Sequence, residues 1–194
     1  MADLLQTPSQ TVGPFFHDGL IRAGENILVR PGTRGDRIVI TGRVIDGDGV
    51  PLPDAVLELW QADAGGIFAH PADPRCVSAD PLFRGFGRSD TSHAGQTFRF
   101  ETIKPGRVPG DGGAAQAPHA CLHVFARGLL THLSTRMYFA DEAEANAGDS
   151  VLAAIAPVRR STLFAQPVAA GATPIAYSWD IVLQGEQETV FFEP

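Results

Sequence analysis

The stretch from His119 to Gly128 constrains the fold more than any other part of this chain. Its residues alternate in character, and successive side chains of a β-strand point to opposite faces of the sheet. One face would then be apolar and consist of Ala120, Leu122, Val124 and Ala126. The opposite face would carry His119, Cys121, His123, Phe125 and Arg127. This pattern predicts a strand with one face in the core and the other on the wall of a pocket.

Other short segments show a similar alternation and are separated by turns rich in Gly, Pro and Asp. They lie at residues 37–45, 55–61, 97–103, 177–184 and 189–192. The first two are predicted to pair like a hairpin across the Asp46-Gly47-Asp48-Gly49 turn. Trp60, Phe98 and Trp179 are most simply interpreted as core aromatics. Residues 64–88 show no period, and a loop of that length in a compact domain is usually functional or part of an interface.

The remaining segments predict an arm and short helices. Residues 7–17 contain two prolines, which disfavour a regular helix, and Phe15 and Phe16, which need apolar cover, so we expect an extended arm laid over another surface. Residues 141–147 and 149–155 predict two short helices, the second capped by Asp149 or Ser150 and stopped by Pro157.

The predicted fold class is mainly β: an antiparallel β-sandwich with long loops, an extended N-terminal arm and one or two short helices. We expect one domain over residues 1–194, with an arm and loop at 1–36 and the sandwich at 37–194.

Composition excludes several classes of function. The chain has 194 residues and a formal net charge of -7, and its basic residues form no cluster that would bind nucleic acid. It contains no run of 18 apolar residues, which argues against a membrane span, and its first residues have no basic segment followed by an apolar one. We therefore expect a cytoplasmic protein, with Cys76 and Cys121 as reduced thiols.

The residues alone leave the pocket face open to several interpretations. Cys121 and His123 could form a soft metal pair, but two donors on one strand without a third are a weak signal. Arg127 on pattern alone would more often be a solvated strand residue than a ligand contact.

Motifs along most of the chain resemble those of the intradiol ring-cleaving dioxygenases. The matching segments are Thr7-Pro8-Ser9-Gln10-Thr11-x-Gly13-Pro14-Phe15, Leu57-Glu58-Leu59-Trp60-Gln61-Ala62-Asp63, Phe86-Gly87-Arg88, Thr102-Ile103-Lys104-Pro105-Gly106, Ala117-Pro118-His119, Phe125-Ala126-Arg127-Gly128 and Thr135-Arg136-x-Tyr138-Phe139-x-Asp141-Glu142. The resemblance implies a β-sandwich and the cleavage of a catechol ring with O2, on a ferric ion held by two tyrosines and two histidines.

Three of those four ligands are missing from this chain. The segment that resembles Gly-x-Tyr-x-His reads Gly66-Ile67-Phe68-Ala69-His70, and Val108 replaces the tyrosine of Pro-Gly-x-Tyr-Pro. The His-x-His pair is represented by Cys121-Leu122-His123. Phenolate oxygens suit Fe(III), and the only tyrosines of the chain, Tyr138 and Tyr177, stand at neither position. We expect no metal ligand and no catalytic residue in this chain.

The resemblance is strongest to the α subunits of the two-chain members, which act on protocatechuate in the β-ketoadipate pathway. It implies an αβ hetero-oligomer in which the β subunit binds Fe(3+) and the active site lies between the chains. It also implies that Gly13, Pro14 and Arg127 bind substrate. Two alternatives stay open: a homomeric dioxygenase with an atypical metal site at His123 and Cys121, and a non-catalytic β-sandwich binding module.

Overall fold

Ten strands, four short α-helices and short 3-10 helices lie within residues 5–110, 113–168 and 174–193, the residues that the computed structural model describes. The strands are β1 (Arg37–Gly42), β2 (Val44–Ile45), β3 (Val56–Trp60), β4 (Phe86–Asp90), β5 (Phe98–Ile103), β6 (His119–Phe125), β7 (Leu133–Phe139), β8 (Phe164–Pro167), β9 (Ile175–Ser178) and β10 (Ile181–Val182). The helices are α1 (Pro14–Leu20), α2 (Ala143–Ala147), α3 (Ser150–Ala154) and α4 (Pro157–Arg160). None of the helices in these ranges is long and apolar enough to cross a membrane.

Eight strands form a continuous sheet in the order β4-β3-β6-β7-β8-β9-β1-β5. Strand β8 pairs with β7 on one side and with β9 on the other, so it joins the two halves of the sandwich. One core lies between the halves: Ile40 and Phe100 come from β1 and β5, while Leu59 and Leu122 come from β3 and β6. The predicted β-sandwich is therefore confirmed. Its pairings are antiparallel except for β1 with β9, β7 with β8 and β10 with β2.

The hairpin predicted for residues 37–45 and 55–61 is wrong. Strand β1 pairs with β5 and β9, and β3 pairs with β4 and β6. The turn at residues 46–49 instead leads the chain from one half of the sandwich to the other. The long loop is also shorter than predicted, because β4 begins at Phe86 and pairs with β3 although its sequence, Phe-Gly-Arg-Ser-Asp, shows no simple alternation.

The helices differ from the prediction at two prolines. The arm contains helix α1, which was not expected because proline disrupts a helix interior. Pro14 instead occupies the first helical position, where the missing N–H costs nothing. Pro157 stops α3, as expected, but also begins α4. The predicted helices α2 and α3 are present, and the Asp149 carboxylate caps α3 by accepting from the backbone N–H groups of Val151 and Leu152.

Helix α1 lies across the outer face of the half-sheet that contains β3, β4 and β6. The Phe16 ring packs on Phe125 with centroids 5.1 Å apart. His17 donates to Asp90 through Nε2 and lies 3.3 Å from Asp18 through Nδ1. Asp90 is 2% exposed and also accepts from the Ser92 hydroxyl at 2.6 Å. The arm is thus held by an aromatic contact and by a buried carboxylate.

Two glycines allow the loops that follow β3 and β5 to pack closely against each other. Gly66 has φ +72°, and a Cβ there would lie 1.9 Å from the Arg107 carbonyl oxygen. Gly106 donates its N–H to the Asp63 carbonyl at 2.9 Å, and a Cβ on it would meet the Ala64 carbonyl oxygen at 2.5 Å. The two loops therefore approach at a distance that only glycine permits.

We expect Gly66→Ala to lower the free energy of unfolding by about 2 kcal/mol or more, because it adds a backbone clash to left-handed strain. Gly24→Ala is the matched control, since Gly24 has φ +80° but open space where a Cβ would lie, and the substitution should cost about 1 kcal/mol. Urea unfolding of both variants measures the difference. Equal losses would mean that the loops can separate without cost.

Docking of the arm should weaken as pH rises. Burial lowers the pKa of His17, but the hydrogen bonds to Asp90 and Asp18 outweigh this effect and leave the pKa above its ordinary value of 6.5. A raised pKa in the folded state gives stability that is complete below the unfolded pKa and is lost as pH rises through the folded pKa. Amide hydrogen exchange over residues 14–20, corrected for intrinsic rates, should show less protection above that pKa.

The control for this experiment is His17→Gln, which keeps a polar side chain but cannot become an imidazolium. Its arm should exchange faster at low pH and show little further change as pH rises. His93, whose Nε2 lies 3.4 Å from Asp90, is largely exposed, and His93→Gln tests whether this neighbour contributes to the effect. A pH dependence unchanged in His17→Gln would assign the effect to another group.

Candidate functional site

The outer face of the half-sheet β4-β3-β6-β7 is organised in rows of side chains that run across the strands. The row nearest the arm contains Asp90, Val56 and Phe125, and helix α1 covers it. The next row contains Arg88, Glu58, His123 and Ser134. The third contains Phe86, Trp60, Cys121 and Arg136. The alternation predicted for residues 119–127 is confirmed, since Ala120, Leu122, Val124 and Ala126 all lie in the core.

Gly13, Pro14 and Arg127 meet at the arm end of this face. They line a cavity of about 110 Å³ together with Asp54 and His17. The Arg127 Nε lies 2.5 Å from the Asp54 carboxylate, and the Arg127 side chain is 64% exposed. The Gly128 N–H donates to the Thr11 hydroxyl at 2.8 Å, which ties the arm to the end of β6. The three residues singled out in the sequence are therefore neighbours, with an arginine open to solvent.

The fold of this chain does not itself require glycine at position 13. Its backbone has φ -95° and ψ 178°, which other residues adopt, and a Cβ there would have no atom within 4 Å. The space left free faces outward from the chain. Such a position can admit a second molecule close to the backbone.

A larger cavity, of about 660 Å³, lies at the other end of the face. The loops joined through Gly66 and Gly106 enclose it against the row that contains Trp60, Cys121 and Arg136. Cys121 lies within β6, whereas Arg127 lies in the turn that follows the end of β6 at Phe125. The interpretation of Trp60 as a core aromatic is wrong, because its side chain is partly exposed and forms a wall of this cavity.

The positions that correspond to the ferric ligands of the family lie on this larger cavity, and they do not fit iron. Phe68 stacks on Trp60 with ring centroids 6.0 Å apart and planes at 3°, and Val108 is a buried apolar residue. Burial raises the pKa of the Cys121 thiol, so the side chain is a neutral thiol near pH 7. Together they offer no hard anionic donor of the kind that Fe(III) prefers.

Two histidines near this cavity, His119 and His123, have lowered pKa values and are neutral at pH 7. Burial lowers the pKa of His119, whose Nδ1 donates to the Ala117 carbonyl at 2.8 Å. Burial and the neighbouring His132, whose ring centroid is 4.7 Å away, lower the pKa of His123. His123 and Cys121 share a small cavity of about 160 Å³ with Glu58. Over the described ranges, no three His, Cys, Asp or Glu side chains are arranged to hold a metal ion.

Charged groups in the large cavity were not identified from sequence. Arg75 binds Asp73 through Nε at 3.0 Å and through Nη2 at 2.8 Å, and these hydrogen bonds lower the pKa of Asp73 to about 2. Arg136 contacts only uncharged partners among the described residues: Nη1 donates to Gln116 Oε1 at 2.8 Å and lies 3.5 Å from the Tyr138 hydroxyl. Alternation in residues 133–139 places Arg136 outward, but its position opposite Cys121 requires the register of β6 and β7.

Comparisons with known proteins agree with this fold. The family model described as "Dioxygenase" matches residues 12–185. The chain is 42% identical to the protocatechuate 3,4-dioxygenase alpha chain of Burkholderia cepacia, over all of both chains. It is 33% identical to the beta chain from the same organism, over 93% of this chain and 77% of that one.

Among solved structures, hydroxyquinol 1,2-dioxygenase from Pseudomonas putida DLL-E4 has a similar fold. The TM-score is 0.63 at 22% identity, and the match covers 93% of this chain and 68% of that structure. At this identity the match establishes the fold alone. The family model and the full-length relatives go further: this chain belongs to the intradiol ring-cleaving dioxygenase family.

Proposed function

We propose that this chain is the α-type subunit of a protocatechuate 3,4-dioxygenase. With an iron-bearing β-type partner it would cleave protocatechuate between its two hydroxylated carbons and form 3-carboxy-cis,cis-muconate, with both atoms of O2 entering the product. The observation that carries the proposal is the end-to-end similarity to an alpha chain combined with apolar or thiol side chains at three of the four ligand positions.

The proposed division of labour assigns the ferric ion to the partner, where it would supply the redox chemistry. This chain would bind and orient the substrate. The Arg127 guanidinium lies at the surface beside Gly13 and Pro14, and it offers a planar pair of donors that matches a carboxylate. Gly13 leaves room for another molecule next to its backbone.

Assembly would rest on the outer surface near the arm. Phe15 is 84% exposed and Leu130 is 62% exposed; Phe15 adjoins Phe16 of the arm, and Leu130 lines a surface cavity together with Phe16. We propose that residues 37–194 form one sandwich domain and that the arm, in residues 1–36, contributes to contact with the partner. A cytoplasmic location accords with two cysteines that the fold keeps as free thiols.

The two-chain proposal predicts that neither iron nor activity resides in this chain alone. We would express it by itself and together with a homologous β-type chain that has both tyrosines and His-x-His. Elemental analysis should find iron only in the pair, and O2 uptake on protocatechuate should require both chains. Stoichiometric metal and O2 uptake by this chain alone would instead support the homomeric enzyme with His123 and Cys121. An inactive pair with intact iron would support a non-catalytic binding module.

Arg127→Ala should raise the KM for protocatechuate about tenfold or more in the assembled enzyme, because a charge-assisted contact to the carboxylate is lost. Iron content should not change. Asp54→Asn should lower KM, since Asp54 competes for the same guanidinium. Arg43→Gln is the matched control, because Arg43 forms an exposed ion pair with Asp180 elsewhere on the surface. Steady-state O2 uptake measures all three variants, and an unchanged KM in Arg127→Ala would remove Arg127 from the site.

A further inference from the structure

The large cavity remains a formed pocket although three of the family's iron ligands are missing. Gly66 and Gly106, which belong to the two tyrosine motifs of the family, still hold its loops together. Its volume of about 660 Å³ lies within the roughly 300–1,000 Å³ of pockets that bind small molecules. Apolar and aromatic groups form most of its wall, with a few polar groups among them. A pocket of this kind can bind a ligand without a metal.

The charge of the cavity selects an anion. Asp73 and Arg75 form an ion pair and cancel one another. The pKa of His119 is lowered by burial and that of Cys121 is raised by burial, so both side chains are neutral near pH 7. Arg136 is left as the uncompensated charge among the cavity-lining residues. The Asp149 carboxylate, which does not line the cavity, attracts Arg136 but is not hydrogen-bonded to it: it caps α3 and accepts from the Ala117 N–H at 2.8 Å.

The hydrogen bonds of Arg136 leave one edge of its guanidinium free. Both of its hydrogen bonds within the described residues use Nη1, and the guanidinium carbon also lies 5.9 Å from the centroid of the Phe192 ring. The Nε–H and one Nη2–H remain, and they point side by side in the geometry that a carboxylate accepts with its two oxygens. The Gln116 amide, at 2.8 Å from Nη1, holds the guanidinium in place. A carboxylate is an anion that matches this edge with two parallel hydrogen bonds.

The aromatic wall selects a flat ring next to that carboxylate. Trp60 and Cys121 are directly opposed across β3 and β6, and Cys121 and Arg136 across β6 and β7, so the indole and the guanidinium lie two strands apart on one face. Strands are spaced about 4.8 Å apart, which makes this separation close to 10 Å between backbones. Trp60 and Arg136 therefore line the same cavity from the two sides of Cys121.

Trp60 and Phe68 stack in parallel but offset, which leaves part of the indole face open to the cavity. His70 meets Trp60 edge-on with centroids 5.9 Å apart and limits the pocket on that side. A planar ring can pack against these groups while its carboxylate reaches Arg136. The neutral Cys121 thiol between them presents no opposing charge.

We propose that this cavity is a metal-free binding site for monocyclic aromatic carboxylates, with Arg136 binding the carboxylate and Trp60 and Phe68 packing against the ring. The inference concerns binding in this chain and does not depend on catalysis by the assembled enzyme. It uses residues that line a different cavity from the one that Arg127 lines.

Benzoate is the probe, because it has the ring and the carboxylate but no catechol hydroxyls. Equilibrium dialysis of labelled benzoate would be measured on the full chain and on its complex with the β-type partner. We expect the full chain alone to bind one benzoate. The wild-type complex should bind one more benzoate than the Arg136→Gln complex does at the same benzoate concentration. Benzyl alcohol, which lacks the carboxylate, and acetate, which lacks the ring, should each compete at least tenfold less well.

Arg136→Gln should weaken benzoate binding by about tenfold or more, while Arg99→Gln, in an exposed ion pair with Glu101 on β5, should leave it unchanged. Ala72→Trp is a second variant: Ala72 is an exposed residue of the loop that lines the cavity, so a large side chain there fills the entrance with little risk to the core. Both variants should retain the O2 uptake of the complex.

Equal benzoate binding by the wild type, Arg136→Gln and Ala72→Trp would overturn the proposal, as would the absence of any site in the wild-type chain at millimolar benzoate. If the wild-type complex binds benzoate at this site but takes up no O2 on protocatechuate, the result contradicts the proposed function and still supports the binding site. Loss of the site with O2 uptake retained is the expected result for both variants.

Discussion

Strand β6 has to satisfy two environments at once, and the rest of the structure depends on that constraint. Its even-numbered residues from Ala120 to Val124 fill the core between the halves of the sandwich. Its odd-numbered residues lie on the outer face, where β3 and β7 fix them in register with Trp60 and Arg136. A slip of one residue would exchange the two sets, so burial of the apolar set also determines the positions of the polar one. The core thus determines the geometry of the outer face.

Different parts of the chain then cover the two ends of that face. At one end the arm packs Phe16 on Phe125 and places His17 against Asp90. At the other end the loops joined at Gly66 and Gly106 enclose a cavity. The first end presents Arg127 to solvent beside an arm that has room for a second molecule, while the second holds Arg136 within the chain itself. One sheet surface therefore supports a contact with another molecule and a pocket that this chain forms by itself.

Local patterns predicted what depends on neighbouring residues in the sequence. The alternation of residues 119–127, the helices after residue 141 and the capping role of Asp149 all follow from side-chain period or cap chemistry, and all are confirmed. The pairing of β1 was not predicted, because β-branched residues mark a strand but do not specify its neighbours. Helix α1 was missed because Pro14 is compatible with a first helical position as well as with an extended arm.

The candidate site shows the same limit. Motifs identified Gly13, Pro14 and Arg127, and the structure brings them together, although residues far apart in sequence have to meet for that to happen. Arg136 and Trp60 were missed as pocket residues because their proximity arises from the register of three strands. The sequence shows that the iron-ligand side chains are missing at Phe68, Val108 and Cys121. It does not show that the cavity persists, because the cavity depends on backbone contacts at Gly66 and Gly106.

In this family the side chains that bind iron and the glycines that bring the two cavity loops together are different residues. This chain has lost most of the first set and keeps Gly66 and Gly106. Side chains at three ligand positions have changed, whereas the glycines of the same motifs still bring the two loops into contact. Replacing a ligand side chain removes a donor and leaves the backbone path intact, whereas replacing Gly66 would place a Cβ 1.9 Å from a carbonyl oxygen. Loss of the metal donors therefore need not close the cavity. Arg136, beside the Cys121 position, then gives that cavity a charge suited to an anion, which the cation of an iron site would have opposed.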